Sequence, residues 1–154
     1  MTAHIDILAV GGLSRDLKPA FDHYRRLLVP LCDLRVREVR EYVLHGRQAD
    51  EVVRDEGRRL LAAWPQRGVA VALAVEGATY DSHGFARRLQ EWTERGGVTF
   101  VIGGSLGLAP DVLDRARERV SISRLTLPHQ LARVVLAEQL FRALKIARRE
   151  PYHH

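Results

Sequence analysis

"TFVIGGSLGLAPDVLDRA", residues 99–116, is the stretch on which the reading of the fold turns. Phe100-Val101-Ile102 has the apolar, partly β-branched character of a covered strand. It runs into a loop containing Gly103, Gly104 and Gly107, after which Pro110-Asp111 opens a helix. A strand that turns through glycines into a helix brings its backbone close to whatever lies above the turn. A phosphate-binding P-loop would need G-x-x-x-x-G-K-[ST], and this segment has no lysine. A dinucleotide fingerprint would need G-x-G-x-x-G after the first strand, with an acidic residue about twenty positions on. Here the first spacing is wrong and the turn comes late in the chain. Main-chain groups gripping an uncharged, adenosine-like ligand are a third reading, and a tight turn with no ligand is a fourth. The segment alone leaves the last two open.

Working outward, short β-like runs alternate with helical stretches. Residues 4–10 read as a first strand, 17–28 as a helix, 33–39 as a half-exposed strand of period two, and 49–64 as a helix stopped by Pro65. "VAVALAV" (69–75) is apolar on both faces, as a central strand must be. Asp81 and Ser82 can cap a helix that ends at the pair Gly96-Gly97. A strand at 99–102, a helix at 110–120, a short strand "SISRL" at 121–125 and a long helix from about His129 to Arg149 complete the pattern. This alternation predicts a single α/β domain over residues 1–154, with a mainly parallel sheet of five or six strands flanked by helices. Residues 40–50, "REYVLHGRQAD", read as a mobile loop.

The chain is long enough to close a core without staples. Its 46% hydrophobic and 28% charged residues exclude disorder. No apolar run reaches the roughly 20 residues of a membrane span. The short apolar start carries Asp6 and lacks a basic leader, and Cys32 is the only cysteine, so a reducing cytoplasm is expected. Of the 24 basic residues, Lys18 and Lys145 are the two lysines, leaving 22 arginines and a formal charge of +5. Arginine forks suit phosphate, so a nucleic-acid partner is permitted rather than demanded. Glu38, Glu41 and Asp50 lack metal-site spacing, and His4, His23, His45 and His83 form no H-x3-H pattern; no metal is expected. In the last helix Leu131, Val134, Val135, Leu136, Leu140, Phe141, Leu144 and Ile146 spread over more than one face. Such a helix needs cover on two sides, from the same chain or from a second copy, and a homodimer is the favoured expectation.

Residues 121–154 then single out one family. Ser121, Ser123, Leu125-Thr126, Pro128-His129, Arg133, Glu138, Arg142-Ala143, Ile146 and the closing Pro151-Tyr152-His153 resemble the C-terminal signature of the SPOUT-class ribosomal RNA large-subunit methyltransferase H family, a bacterial group. "VIGG" with Gly107-Leu108 is similar to its glycine loop and "ILAVG" to its first strand. The resemblance implies a C-terminal deep trefoil knot over about residues 99–154. It implies S-adenosylmethionine bent into a pocket walled by Leu73, Gly103, Gly104 and the run Ile122, Ser123, Arg124, Leu125, Thr126, Leu127. It further implies methylation of N3 of a pseudouridine in helix 69 of 23S ribosomal RNA, with the assembled ribosome as substrate. A cofactor without phosphate removes the need for a lysine in the glycine turn.

N3 of a uracil-type base carries a proton that must leave, and a neutral histidine is the natural acceptor near pH 7. His129 and His153 are the candidates; His129 also suits a capping or packing role at its helix start. On this reading the Pro151-Tyr152-His153 tail reaches a partner's pocket, where Tyr152 meets the target base. Arg142 either pairs with Glu138 four residues earlier or meets RNA phosphate, and Arg148 and Arg149 are set to touch backbone phosphate. The chain departs from the family at Leu73-Ala74-Val75-Glu76-Gly77-Ala78, where Leu-Asp and a later Gly-Lys are usual, and at His154, where a basic residue is common. An alternative function is a ribosome- or RNA-binding relative that holds S-adenosylmethionine without turnover. A nucleotide-binding α/β enzyme of another kind is a weaker third.

Overall fold

The computed structural model describes residues 2–152. Strands β1 (Ala3–Val10), β2 (Cys32–Val39), β3 (Val69–Ala78), β4 (Val98–Ile102) and β5 (Glu118–Val120) form one parallel sheet in the order β2-β1-β4-β3-β5. Helices α1 (Lys18–Leu28), α2 (Ala49–Ala62), α3 (Ser82–Glu94), α4 (Pro110–Arg115) and α5 (His129–Ala147) cover its faces. Strand alternation sorts the core into two layers. Ile5, Ile7, Val71, Val98, Phe100 and Ile102 point to the face covered by α1, α3 and α5. Leu8, Val10 and Val101 point to the other, where Leu60 of α2 and Val112 of α4 meet them. The α/β architecture expected from the sequence is therefore present, with five strands.

Local chemistry explains most boundaries. Asp81 caps α3 by accepting a hydrogen bond from Gly84 N at 2.7 Å, and the helix ends into Gly96 and Gly97, both with positive φ. Gly57 of α2 sits where an added Cβ would come within 2.8 Å of Ala109 Cβ, so only glycine lets α2 lie so close to the start of α4. On the opposite face Trp92 is fully buried between Phe85 and Phe100, and its indole Nε1 donates to Glu118 Oε2 at 2.9 Å. Arg88 holds the other oxygen of the same carboxylate, tying α3 to the edge strand β5.

Two expectations are corrected. The strand foreseen at 121–125 lies at Glu118–Val120 instead. Ser121 Oγ donates to Ser123 O at 2.8 Å and Ser123 Oγ accepts from Leu125 N at 3.0 Å. These hydroxyls offer the backbone partners inside a turn, and the ladder stops there. The helix foreseen over 110–120 ends at Arg115, because the chain must extend for Arg117 N to donate to Ala70 O at 3.0 Å along the open edge of β3. Residues 40–48 carry neither helix nor strand, and Tyr42 joins them to α2, its N–H donating to Glu56 Oε2 at 3.1 Å and its Oη accepting from Arg59 Nε at 2.8 Å.

Helix α5 lies against the sheet between α1 and α3, and no residue from 129 to 146 is fully exposed. Val134, Leu136, Leu140 and Phe141 of its wide apolar arc are buried within the chain, while Leu131, Val135, Leu144 and Ile146 stay half-buried. Strand order and the passage of 121–128 over the ends of β3 and β4 agree with the threaded C-terminus that the resemblance implies. Trp92 is the largest fully buried side chain and carries a satisfied hydrogen bond. Trp92→Ala is expected to cost about 3–5 kcal/mol in unfolding free energy, measured by denaturant titration.

Candidate active site: a hollow above β3, β4 and β5

The carboxyl ends of β3, β4 and β5 open into a hollow of about 830 Å³, within the range of small-molecule sites. Each wall is shaped by a local device. After β4, Gly107 adopts φ 87 and its N–H donates to Gly104 O at 3.1 Å, closing a tight turn. A Cβ on Gly103 would stand 2.7 Å from Gly107 O, so the turn cannot close around any larger residue. β3 supplies the second wall by bulging. Leu73 and Ala78 both register with Val120, so residues 74–77 loop out between them. A Cβ on Gly77 would meet Val120 backbone at 2.7 Å, which fixes the foot of that bulge against β5. The third wall is the serine-locked turn followed by Thr126, Leu127 and Pro128.

The structure brings together Leu73, Gly103, Gly104, Ile122, Ser123, Leu125, Thr126 and Leu127 around this hollow, with His129 at its inner end. Arg124 points away from it and is exposed. Sequence reading passed over the glycine-turn tip at Ser105 and Leu106, and the bulge residues Val75 and Glu76. The bulge falls on the segment that departs from the family pattern, so that departure was its visible sign.

His129 Nε2 is buried without a hydrogen bond and lies 3.8 Å from Glu41 Oε1. Behind the glycine turn, Glu56 is 3% exposed, and a Cβ on Gly104 would lie 3.0 Å from its unpartnered Oε1. Burial raises the Glu56 carboxyl above the usual value, and nearby Glu41 raises it further, while the Tyr42 N–H opposes. Glu56 was not foreseen, yet its place between Val52 and Leu60 on an apolar helix stripe marks it in the sequence. Arg133 is 1% exposed; it donates to Glu38 Oε2 at 2.5 Å and to Gly11 O at 2.7 Å. This clamps the start of α5, and with it His129, to the carboxyl ends of β1 and β2.

Tyr152 stands elsewhere. Its ring packs edge-on against Phe141 with centroids 4.7 Å apart, and its hydroxyl donates to Glu138 Oε1 at 3.2 Å. Burial, then Glu138, raises the Tyr152 phenol, which stays a neutral donor. Arg142 forms the i,i+4 pair with Glu138 at 2.6 Å and lies 4.9 Å from the Tyr152 ring centre. Arg148 is 3.8 Å from Glu150 Oε1, and Arg149 takes the left-handed conformation, φ 56, that ends the helix. None of these residues borders the hollow of its own chain. His153 lies outside the described residues.

The folded chain holds the Glu56 proton more tightly than the unfolded chain does. Its contribution to stability is therefore present at low pH and lost as pH rises above the usual 4.5. Glu56→Gln is expected to flatten the fall in stability between pH 4.5 and neutrality, measured by denaturant titration at both ends of that window.

Comparison with known proteins fits this geometry. Residues 3–153 match the family described as "Predicted SPOUT methyltransferase". The chain is 45% identical to the ribosomal RNA large subunit methyltransferase H of Rubrobacter xylanophilus, over 99% of each chain. It is 41% identical to the protein of that name from Bifidobacterium animalis subsp. lactis, over 97% of this chain and 99% of that one. In structure it is similar to a probable methylase family protein from Haemophilus influenzae Rd KW20, at TM-score 0.62 and 12% identity, covering all of this chain and 72% of the other. A probable methyltransferase from Bordetella pertussis Tohama I gives TM-score 0.58 at 18% identity, covering 92% and 95%. At those identities the two structures speak for the fold alone. A match to the family model over residues 3–153, together with relatives 41% and 45% identical over nearly the whole chain, places this chain in the ribosomal RNA large subunit methyltransferase H family of SPOUT methyltransferases.

Proposed function

We propose that the protein transfers a methyl group from S-adenosylmethionine to ribosomal RNA, at N3 of a pseudouridine in helix 69 of 23S RNA on the assembled ribosome. The observation that carries this reading is the hollow itself, in which two glycines and a serine-locked turn converge without a lysine. The residues fit such a cofactor. Gly103 and Gly104 let the turn close against Gly107 and Glu56, which leaves main-chain atoms along the wall of the hollow, and Leu73, Ile122 and Leu127 provide apolar walls for an adenosine. When bound, the cofactor supplies a methyl on a positively charged sulfur, and the new bond to N3 replaces the bond to sulfur. The relatives' name supports ribosomal RNA as the acceptor.

The chain's own work is then to position the base, exclude water and take the N3 proton. His129 at the inner end of the hollow and His153 in the tail are the acceptors available. Tyr152, held as a donor on Glu138 and Arg142, lies away from its own chain's hollow. In a homodimer the tail of one copy completes the hollow of the other, and Tyr152 then meets the target base with His153 beside it. Arg142, Arg148 and Arg149 stand near that tail to meet RNA phosphate. The second reading, binding without turnover, rests on the bulge, where Ala74, Val75 and Glu76 line the mouth in place of the family's usual residues.

His153→Ala is expected to lower methyl incorporation into purified ribosomes by about 10²-fold or more, with cofactor affinity unchanged by calorimetry. Unchanged turnover would remove the tail from the mechanism. Gly103→Ala is expected to weaken cofactor binding at least tenfold, since the new Cβ would displace the Gly107 carbonyl. Cofactor binding by the unsubstituted protein with no methyl incorporation would establish the second reading instead.

A further inference from the structure

We infer that the outer edge of the sheet at β5 is a docking surface for an RNA backbone, leading to the mouth of the hollow. This rests on the proposed action on RNA and adds where the phosphate chain lies. From Arg115 to Val120 the chain alternates strictly. Arg115, Arg117 and Arg119 are exposed, while Ala116, Glu118 and Val120 turn inward. Glu118 is spent inside the fold on Trp92 and Arg88, so it does not neutralise the outer row. Arg124 continues the row at the mouth, exposed between the lining residues Ser123 and Leu125. The side chains of Arg117 and Arg124 have no hydrogen bond or ion pair among the described residues.

The remaining contacts along the row are weak. Arg119 stands 4.0 Å from Glu76 and 3.7 Å from Asp114, and both carboxylates are largely exposed. Exposed pairs of this kind are worth at most about 1 kcal/mol and give way to a phosphate. Arg115 lies over the half-buried Trp64 ring, its guanidinium carbon 5.7 Å from the ring centre. Arg117 and Arg119 are two residues apart on an extended chain, about 6.6 Å. That matches the separation of successive phosphates along a nucleic-acid strand. A row of forks at this spacing, ending beside a methyl-transfer hollow, suits a phosphodiester chain better than it suits an acidic peptide, whose charges are irregular.

Arginines on an edge strand also discourage sheet-to-sheet association. The opposite edge provides the control, because Arg35 and Arg37 alternate on β2 in the same way but lie at the far side of the sheet from the hollow. The test uses the full chain with purified ribosomes. Arg117→Gln, Arg119→Gln and Arg124→Gln are combined in one variant, Arg35→Gln and Arg37→Gln in another. Ribosome binding is followed across salt concentrations, and cofactor affinity by calorimetry. The β5-edge variant is expected to bind ribosomes at least tenfold more weakly, with the slope of log affinity against log salt shallower by about two. Its cofactor affinity stays within twofold, and the β2-edge variant matches the unsubstituted protein. An unchanged salt slope in the β5-edge variant, or an equal loss in the β2-edge variant, overturns the docking surface. Failure of the unsubstituted protein to methylate ribosomes overturns the proposed function itself, and the two failures are read from different samples.

Discussion

Two serine hydroxyls decide where the last strand ends. Ser121 and Ser123 capture backbone groups within their own turn, so β5 stops after three residues and the chain swings across the ends of β3 and β4. Everything at the site depends on that crossing. It makes the third wall of the hollow, it delivers His129 to the inner end, and it brings α5 onto the face shared with α1 and α3. Had the ladder with β3 continued, the segment would lie flat on the sheet edge and the glycine turn would open to solvent.

The crossing is held at its far end by an ion pair that spans the sequence. Arg133, almost wholly buried, joins the start of α5 to Glu38 at the end of β2 and to the carbonyl of Gly11 after β1. A buried charge of this kind contributes little net stability against an apolar substitute, but losing one partner leaves the other stranded. Its effect is positional: the first turn of α5 has one place to sit. Glu56 and Glu41 crowd the same region, so the floor behind the glycine turn is polar and poorly satisfied, whereas its lining is apolar. Rigid backbone walls with a polar floor suit a ligand gripped mainly by main-chain atoms.

Much of the architecture was legible because it follows periodicity. Both-face apolar runs marked β3 and β4, Asp81 marked the α3 cap, and the helical spacing in α5 was plain. The errors share one cause. At 110–120 and 121–125, helix and strand propensities were read locally, while an open edge of β3 and two serine hydroxyls decided the outcome. The wide apolar arc of α5 pointed to cover on two sides, and α1, α3 and the sheet bury half of its apolar side chains, leaving Leu131, Val135, Leu144 and Ile146 half-buried. Of the site, the glycine turn and the 122–127 turn could be named from their residues, but the β3 bulge could not, Arg124 lies outside the lining and Glu56 was missed despite sitting in an apolar stripe.

By itself the sequence determined the order of elements, the glycine turn and the family signature, since each depends on neighbours a few positions apart. Only the tertiary structure decided that these turns share one hollow, that β3 bulges to form its rim, and that Tyr152 stands away from it. The reason is physical. Spacing along the chain fixes which groups a residue can reach locally, while register between strands and the path of a crossing fix which distant groups it meets.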